Sequence, residues 1–201
     1  KTVLVVSHDI TVLQENQVRR DQLMRSLLAT LMRAVDLHDP FTANHSSKTA
    51  QVALAIGREM DLGKQDIETL EMAANLANVG KLFVPKEILI KPEPLTEEEQ
   101  QILHEHVNHS VAILSGLDFP GPVLETIAQK QEYIDGSGYP KGLHGDQMLL
   151  TAKILSVANA FVAMVNSRAY RTGMTMDAAL DQMLSETQTR HDRHVVAALF
   201  H

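Results

Sequence analysis

Residues 151–167, TAKILSVANAFVAMVNS, are apolar over almost their whole length and carry one cation, Lys153. A helix that is hydrophobic on most sides has to be covered on most sides, so this segment is expected at the centre of a core. The surrounding segments are of the kind that could cover it. His45, Thr49, Val52, Ile56 and Met60 fall on one helical face, with Thr42, Ala43 and Asn44 as caps in front and Gly63 beyond. Gln65–Asn78 reads as a second helix burying Ile67, Leu70, Met72, Ala73 and Leu76. Val84-Pro85 and Lys91-Pro92-Glu93-Pro94 are breakers. Thr96-Glu97-Glu98-Glu99 is an acidic start suited to the positive end of a helix, which then runs through Ile102, His106, His109 and Ile113 to Gly116. Further helices are expected at Val123–Gln131, Met176–Leu184 and His194–Phe200. After Asp39-Pro40 no segment reads as a strand. The fold class is all-α.

The first residues differ. Val3–Val6 is a β-branched run that reads as one strand, which needs a partner outside this chain to satisfy its backbone. From Thr11 to Val35, Val12, Val18, Leu23, Leu27, Leu28, Leu31 and Val35 recur at mostly helical steps, while Gln14–Gln22 is polar nearly all round. This pattern suits a long linker helix, solvated or paired with a second copy as a homodimer. The division expected is 1–11, the end of an upstream domain; 12–36, a linker helix; and 37–201, the helical bundle. The chain begins with Lys rather than Met, which reads as a piece of a longer protein.

Composition removes several classes of function. Eighteen Lys+Arg against 25 Asp+Glu give a net charge of −7 in 201 residues. An acidic balance argues against DNA, RNA and anionic membranes as general partners. The absence of cysteine excludes disulfides, thiolate metal sites and cysteine nucleophiles. No apolar run reaches the ~20 residues of a membrane span, and the apolar opening lacks the flanks of a signal peptide, so a cytoplasmic location is expected. Ten histidines raise the question of metal or acid–base chemistry. His104, His106 and His109 cluster on one expected helix, and His191, His194 and His201 form a looser group; taken alone, each group reads as polar side chains on the surface rather than a site. Asp135-Gly136-Ser137-Gly138-Tyr139-Pro140 is a rigid turn that would present its tyrosine outward, or simply join two helices.

Taken in order, Asn44-His45-Ser46, Ala74–Lys81, Pro85–Leu89, Lys91–Thr96 and Asp135–Pro140 resemble the HD-GYP family, a branch of the HD phosphohydrolase superfamily, over roughly residues 30 to 200. The short stretch Val3–Thr11 resembles the end of a PAS sensor domain leading into a signalling helix. The HD-GYP resemblance implies a helical bundle around two or three metal ions and hydrolysis of cyclic di-GMP in bacterial signalling. Carried over residue by residue, it implies a site stripped of most of its ligands. The first histidine is kept as His45, and the one in the following helix as His106. The name-giving His-Asp pair has become Ala77 and Asn78. The His-His-Glu before the loop has become Lys130, Gln131 and Glu132, and the last aspartate has become Asn159. Lys81 is retained.

The consequence is electrostatic. Two divalent cations need carboxylates to neutralise them and a bridging donor to activate water. A neutral Asn78 bridges poorly, Ala77 has no donor, and Lys130 would place an ammonium where a cation binds. Neither catalysis nor a metal cofactor is therefore expected, and Lys130, paired with Glu132, would do part of the missing cations' electrostatic work. His45 and His106 are expected as polar core residues bonded to Asn78 and Asn159, and are the remaining candidates if one or two divalent metals (Fe or Mn) bind. Lys81 could meet a phosphate. Arg168 and Arg171, beside Tyr170, match a family segment next to the site, where they would meet a phosphate or act as helix-end cations. The loop of Asp135, Gly136, Gly138, Tyr139 and Pro140 is the expected contact surface for GGDEF-type or other signalling partners. The expected function is that of a degenerate output domain acting by protein or nucleotide binding, cyclic di-GMP included. The alternatives are a working metal-dependent phosphodiesterase and a dimerisation module.

Overall fold

The computed structural model of the chain describes residues 11–40, 44–166 and 172–201. Among these there is no strand; the one β-type pairing is an isolated antiparallel bridge between Asp135 and His144. The expected strand at Val3–Val6, the PAS-like stretch and the caps Thr42 and Ala43 lie outside the described residues. Asn44 does stand at a helix start, but with a left-handed backbone (φ 61°) and no side-chain cap bond.

The bundle is assembled on α8 (Leu150–Val165), as its composition demands. Ala152, Ile154, Leu155, Val157, Ala158, Phe161 and Val162 of this helix are all buried. α2 (His45–Glu59), α3 (Lys64–Leu76), α7 (Val123–Gln129), α9 (Met176–Ser185) and α10 (Arg193–Leu199) pack around it. Local signals set the starts of α9 and α10. Thr175 Oγ1 accepts from Ala178 N–H at 3.3 Å, and Asp192 Oδ1 accepts from His194 N–H at 2.9 Å. α1 (Thr11–His38) is one continuous helix. Its last turns dock on the bundle through buried Val35 and through His38, whose Nε2 lies 2.9 Å from Val84 O. Val18, Leu23, Leu27 and Leu37 remain exposed along it.

Two elements differ from expectation near the centre. The second helix stops at Leu76 and gives way to a 3₁₀ helix, Val79–Phe83, preceded by the short link Ala77-Asn78. Gly80 explains the approach this makes possible: a Cβ there would run into His106 O and Ser110 N on the facing helix. Ser110 Oγ accepts from Gly80 N–H at 2.9 Å, closing the contact. The single helix expected from Thr96 to Ile113 is broken at Glu105 into α5 (Glu97–His104) and α6 (His106–Leu114). α5 starts on a full capping box between Thr96 and Glu99. At the break, His106 Nδ1 takes Leu103 O at 2.7 Å, a side-chain competitor for the helical ladder. α4 (Lys86–Leu89) is one turn between the Pro85 and Pro92 breakers.

Candidate functional site

Widely separated pieces of chain converge on a narrow cleft of about 130 Å³. The start of α2 brings His45, the link before the 3₁₀ helix brings Asn78, and that helix brings Lys81. The α5–α6 break brings His106, the turn just past α7 brings Gln131, and α8 brings Asn159. Asp39, just past α1, Tyr139 and the apolar Ile88, Leu89 and Leu103 also line it. The residues that the motifs singled out are therefore neighbours in space, although they span 115 positions of sequence from His45 to Asn159.

The cleft is built on Lys130. It is 1% exposed, directly under Asn78, and its Nζ donates to Ala77 O at 2.6 Å and to Asn78 Oδ1 at 2.9 Å. Asn78 Nδ2 in turn donates to Ser46 Oγ at 3.4 Å. Burial, and after it the charge of Lys81, pushes the Lys130 amine well below the ordinary lysine range. In either protonation state it has two protons for the two carbonyl oxygens. The expected pairing of Lys130 with Glu132 is overturned. Glu132 is fully buried, but Oε1 accepts from Lys141 N–H at 2.7 Å and Oε2 from Leu143 N–H at 2.9 Å. Its charge is spent on the loop backbone.

The two retained histidines are in different states. His45 Nε2 lies 3.0 Å from Asn159 Oδ1, an acceptor, so that nitrogen carries the proton. His106 does not bond to either asparagine, contrary to expectation. Its Nδ1 donates to Leu103 O, which leaves Nε2 as a bare, buried lone pair with no hydrogen-bond partner. Burial, then Lys130 and Lys81, holds this imidazole well below the usual histidine range, so it is neutral near pH 7. Lys81, expected as a phosphate contact, makes a buried ion pair with Asp39 Oδ2 at 2.8 Å. Asp39 carries no mark in the sequence: nothing local singles out a residue whose partner is 42 positions away.

The loop is also turned differently. Tyr139 does not face outward. It is half-buried and its ring stacks on His104, centroids 3.7 Å apart and planes 12° from parallel. Burial raises its hydroxyl pKa. Gly138 allows this, because a Cβ there would strike the backbone of Glu132 and Tyr133; Tyr139 N–H donates to Gln131 O at 3.0 Å. Asp135 is exposed and closes a local turn, accepting from Ser137 N–H at 2.9 Å and Ser137 Oγ at 2.6 Å. Gly136 has φ 82°, a conformation glycine tolerates best, and Pro140 is exposed. Arg168, Tyr170 and Arg171 lie outside the described residues.

The donor set does not fit a pair of divalent cations. Asn78 Oδ1 already accepts from Lys130 and His45 Nε2 is engaged as a donor, while His106 Nε2 is a buried lone pair with no hydrogen-bond partner. The Lys130 amine stands here in either protonation state, its Nζ bonded to the Asn78 oxygen that a bridging ligand would need. Among the described residues no three His, Asp or Glu side chains are grouped to hold a metal ion. His104 and His106 stand on opposite sides of the helix break, and of the other group His191 is buried while His194 and His201 are exposed.

This bundle, with its cleft between α2, the 3₁₀ helix, α7 and α8, places the chain among the HD phosphohydrolases. It belongs to the HD domain family, whose model matches residues 29–195. The chain is 33% identical to the cyclic di-GMP phosphodiesterase response regulator RpfG of Xanthomonas campestris pv. campestris, over 87% of this chain and 47% of that protein. It is 32% identical to 3'3'-cGAMP-specific phosphodiesterase 3 of Vibrio cholerae, over 89% of this chain and 39% of that one. Among solved structures, a cyclic GMP-AMP-specific phosphodiesterase of V. cholerae superposes with a TM-score of 0.67 at 15% identity, covering 87% of this chain and 47% of that chain. The chain thus spans less than half the length of these relatives. No helix among the described residues is long and apolar enough to cross a membrane.

Proposed function

We propose that this chain is an HD-GYP output domain that binds cyclic dinucleotides without hydrolysing them and passes that state to a signalling partner in the cytoplasm. The observation that carries the reading is the Lys130 amine, buried and held by Ala77 O and Asn78 Oδ1. It occupies the oxygen that a bridging carboxylate would offer to metals, so no water is activated between two cations. The relatives named above act on cyclic di-GMP or 3'3'-cGAMP, which supplies the ligand class. The Asp135–Pro140 loop, with exposed Asp135, Ser137 and Pro140, is the surface offered to a GGDEF-type or other signalling protein. The exposed apolar positions of α1 support self-association as a homodimer.

One observation favours a second reading. The bare Nε2 of His106 is a potential donor to a single metal ion, which would leave a weak phosphodiesterase. Turnover separates the two. With added Mn²⁺ or Fe²⁺, the purified chain is expected to release no linear dinucleotide or mononucleotide from cyclic di-GMP or 3'3'-cGAMP. Metal-dependent, multiple-turnover product formation would establish the second reading instead.

A further inference from the structure

α1 carries two apolar faces. One is docked: Leu28, Leu31 and Met32 pack against the core and Val35 is buried in it. The other is bare. Steps of four, three, four and three residues lead from Leu23 to Leu27, Thr30, Ala34 and Leu37, and all five are exposed. The three leucines are 60%, 56% and 73% exposed. At about 100° per residue, the bare face stands about 120° round the helix from the docked one. It therefore continues alongside the bundle as far as Leu37. Val18 is exposed as well but falls on neither face.

Alternating steps of three and four residues are the spacing by which one helix seats its side chains between those of another with the same repeat. No charge interrupts the bare face between Leu23 and Leu37. Thr30 is its one polar side chain, and its hydroxyl donates to Ser26 O at 2.8 Å within α1, so covering it strands nothing. Followed toward the N-terminus, the same spacing reaches Arg20, which ends the apolar stretch. With no charge to select a different partner, the best complement to this face is its own copy across a two-fold axis. Leucine then meets leucine, and the small Ala34 lets the helices approach. A seam about 22 Å long belongs at the small, reversible end of specific interfaces, below about 1,200 Å².

Building on the homodimer proposed above, we infer that this seam pairs in parallel with that of a second copy, and that the end of α1 is thereby the joint between two clefts. The parallel orientation follows from the linker reading of α1, since both copies then enter from one end and both bundles stand at the other. Leu37 is next to His38, whose Nε2 lies 2.9 Å from Val84 O, and two residues from Asp39, whose Oδ2 accepts from Lys81 Nζ at 2.8 Å. Asp39 and Lys81 both line the cleft. A partner helix at Leu37 therefore bears on the turn that closes the cleft wall.

The chain has no cysteine, so single-cysteine variants test the register directly. Ala34→Cys and Leu37→Cys place each thiol opposite its own copy in the parallel pair; Ala29→Cys, exposed about 120° away from the seam, does not. A thiol held across a seam meets its twin at an effective concentration near millimolar, so under mild oxidation both seam variants are expected to form disulfide-linked dimers about tenfold or more faster than Ala29→Cys. Equal rates for all three variants would overturn the seam. Fast cross-linking by Thr30→Cys with none by Leu37→Cys would also overturn it, because in an antiparallel pair centred on Thr30 that residue alone meets itself. A chain that stays monomeric by light scattering would remove the homodimer and the seam together. None of these outcomes touches the non-hydrolytic reading of the cleft, which the turnover assay decides separately.

Discussion

Lys130 is where the chemistry of this chain parts from hydrolysis. A lysine fully out of water is costly unless its protons are received, and here two carbonyl oxygens receive them. Removing it would strand Ala77 O and Asn78 Oδ1 and leave a void under the cleft. Lys130→Ala is therefore expected to destabilise the fold by about 2–4 kcal/mol in urea unfolding. An unchanged midpoint would show that the amine holds nothing together. The histidines set the acid limb of stability. His191 has a folded pKa of about 4 against an ordinary value of 6.5, and buried His106 is depressed as well. The unfolded chain binds more protons than the folded one across that window, so stability is full above about pH 6.5 and falls as pH drops toward 4. His191 alone accounts for roughly 3 kcal/mol of that loss. Thermal melts at pH 7 and pH 4.5 should show a lower midpoint in acid, and a higher one would contradict the neutral, buried state of both rings.

At the scale of elements, the 3₁₀ helix and α6 are held at a distance only glycine permits. Gly80→Ala pushes a methyl into His106 O and Ser110 N, both backbone, and neither can swing aside. It is expected to cost about 3 kcal/mol or more and to disturb the His106 ring. A melt indistinguishable from that of the unmodified chain would mean that the two helices separate easily. Along α1, Leu23 and Leu27 are exposed one helical turn apart. If that face pairs two copies, Leu23→Glu with Leu27→Glu should halve the mass seen by light scattering without lowering helicity. The same starting mass in both proteins would remove the dimer.

Across the whole molecule, helical period and turn residues made the bundle legible, because α8 is apolar enough that only a central position suits it. The motif residues also pointed to a common site, and His45, Asn78, His106, Gln131 and Asn159 do line one cleft. What was not legible depends on pairings across the chain. Lys130 reaches residues 52 and 53 positions away rather than Glu132, which the loop backbone had claimed. Lys81 is committed to Asp39. Tyr139 turns in because Gly138 lets the chain fold back, and a turn-forming composition does not reveal which way the ring will point.

Metal stoichiometry by mass spectrometry on the purified chain, after equilibration with excess Mn²⁺ or Fe²⁺ and desalting, tests most directly whether this cleft has given up its cations. Well under one ion per chain is the expected result. Two tightly retained ions per chain would contradict it, since both would have to be held where Lys130 already fills the bridging oxygen's bond.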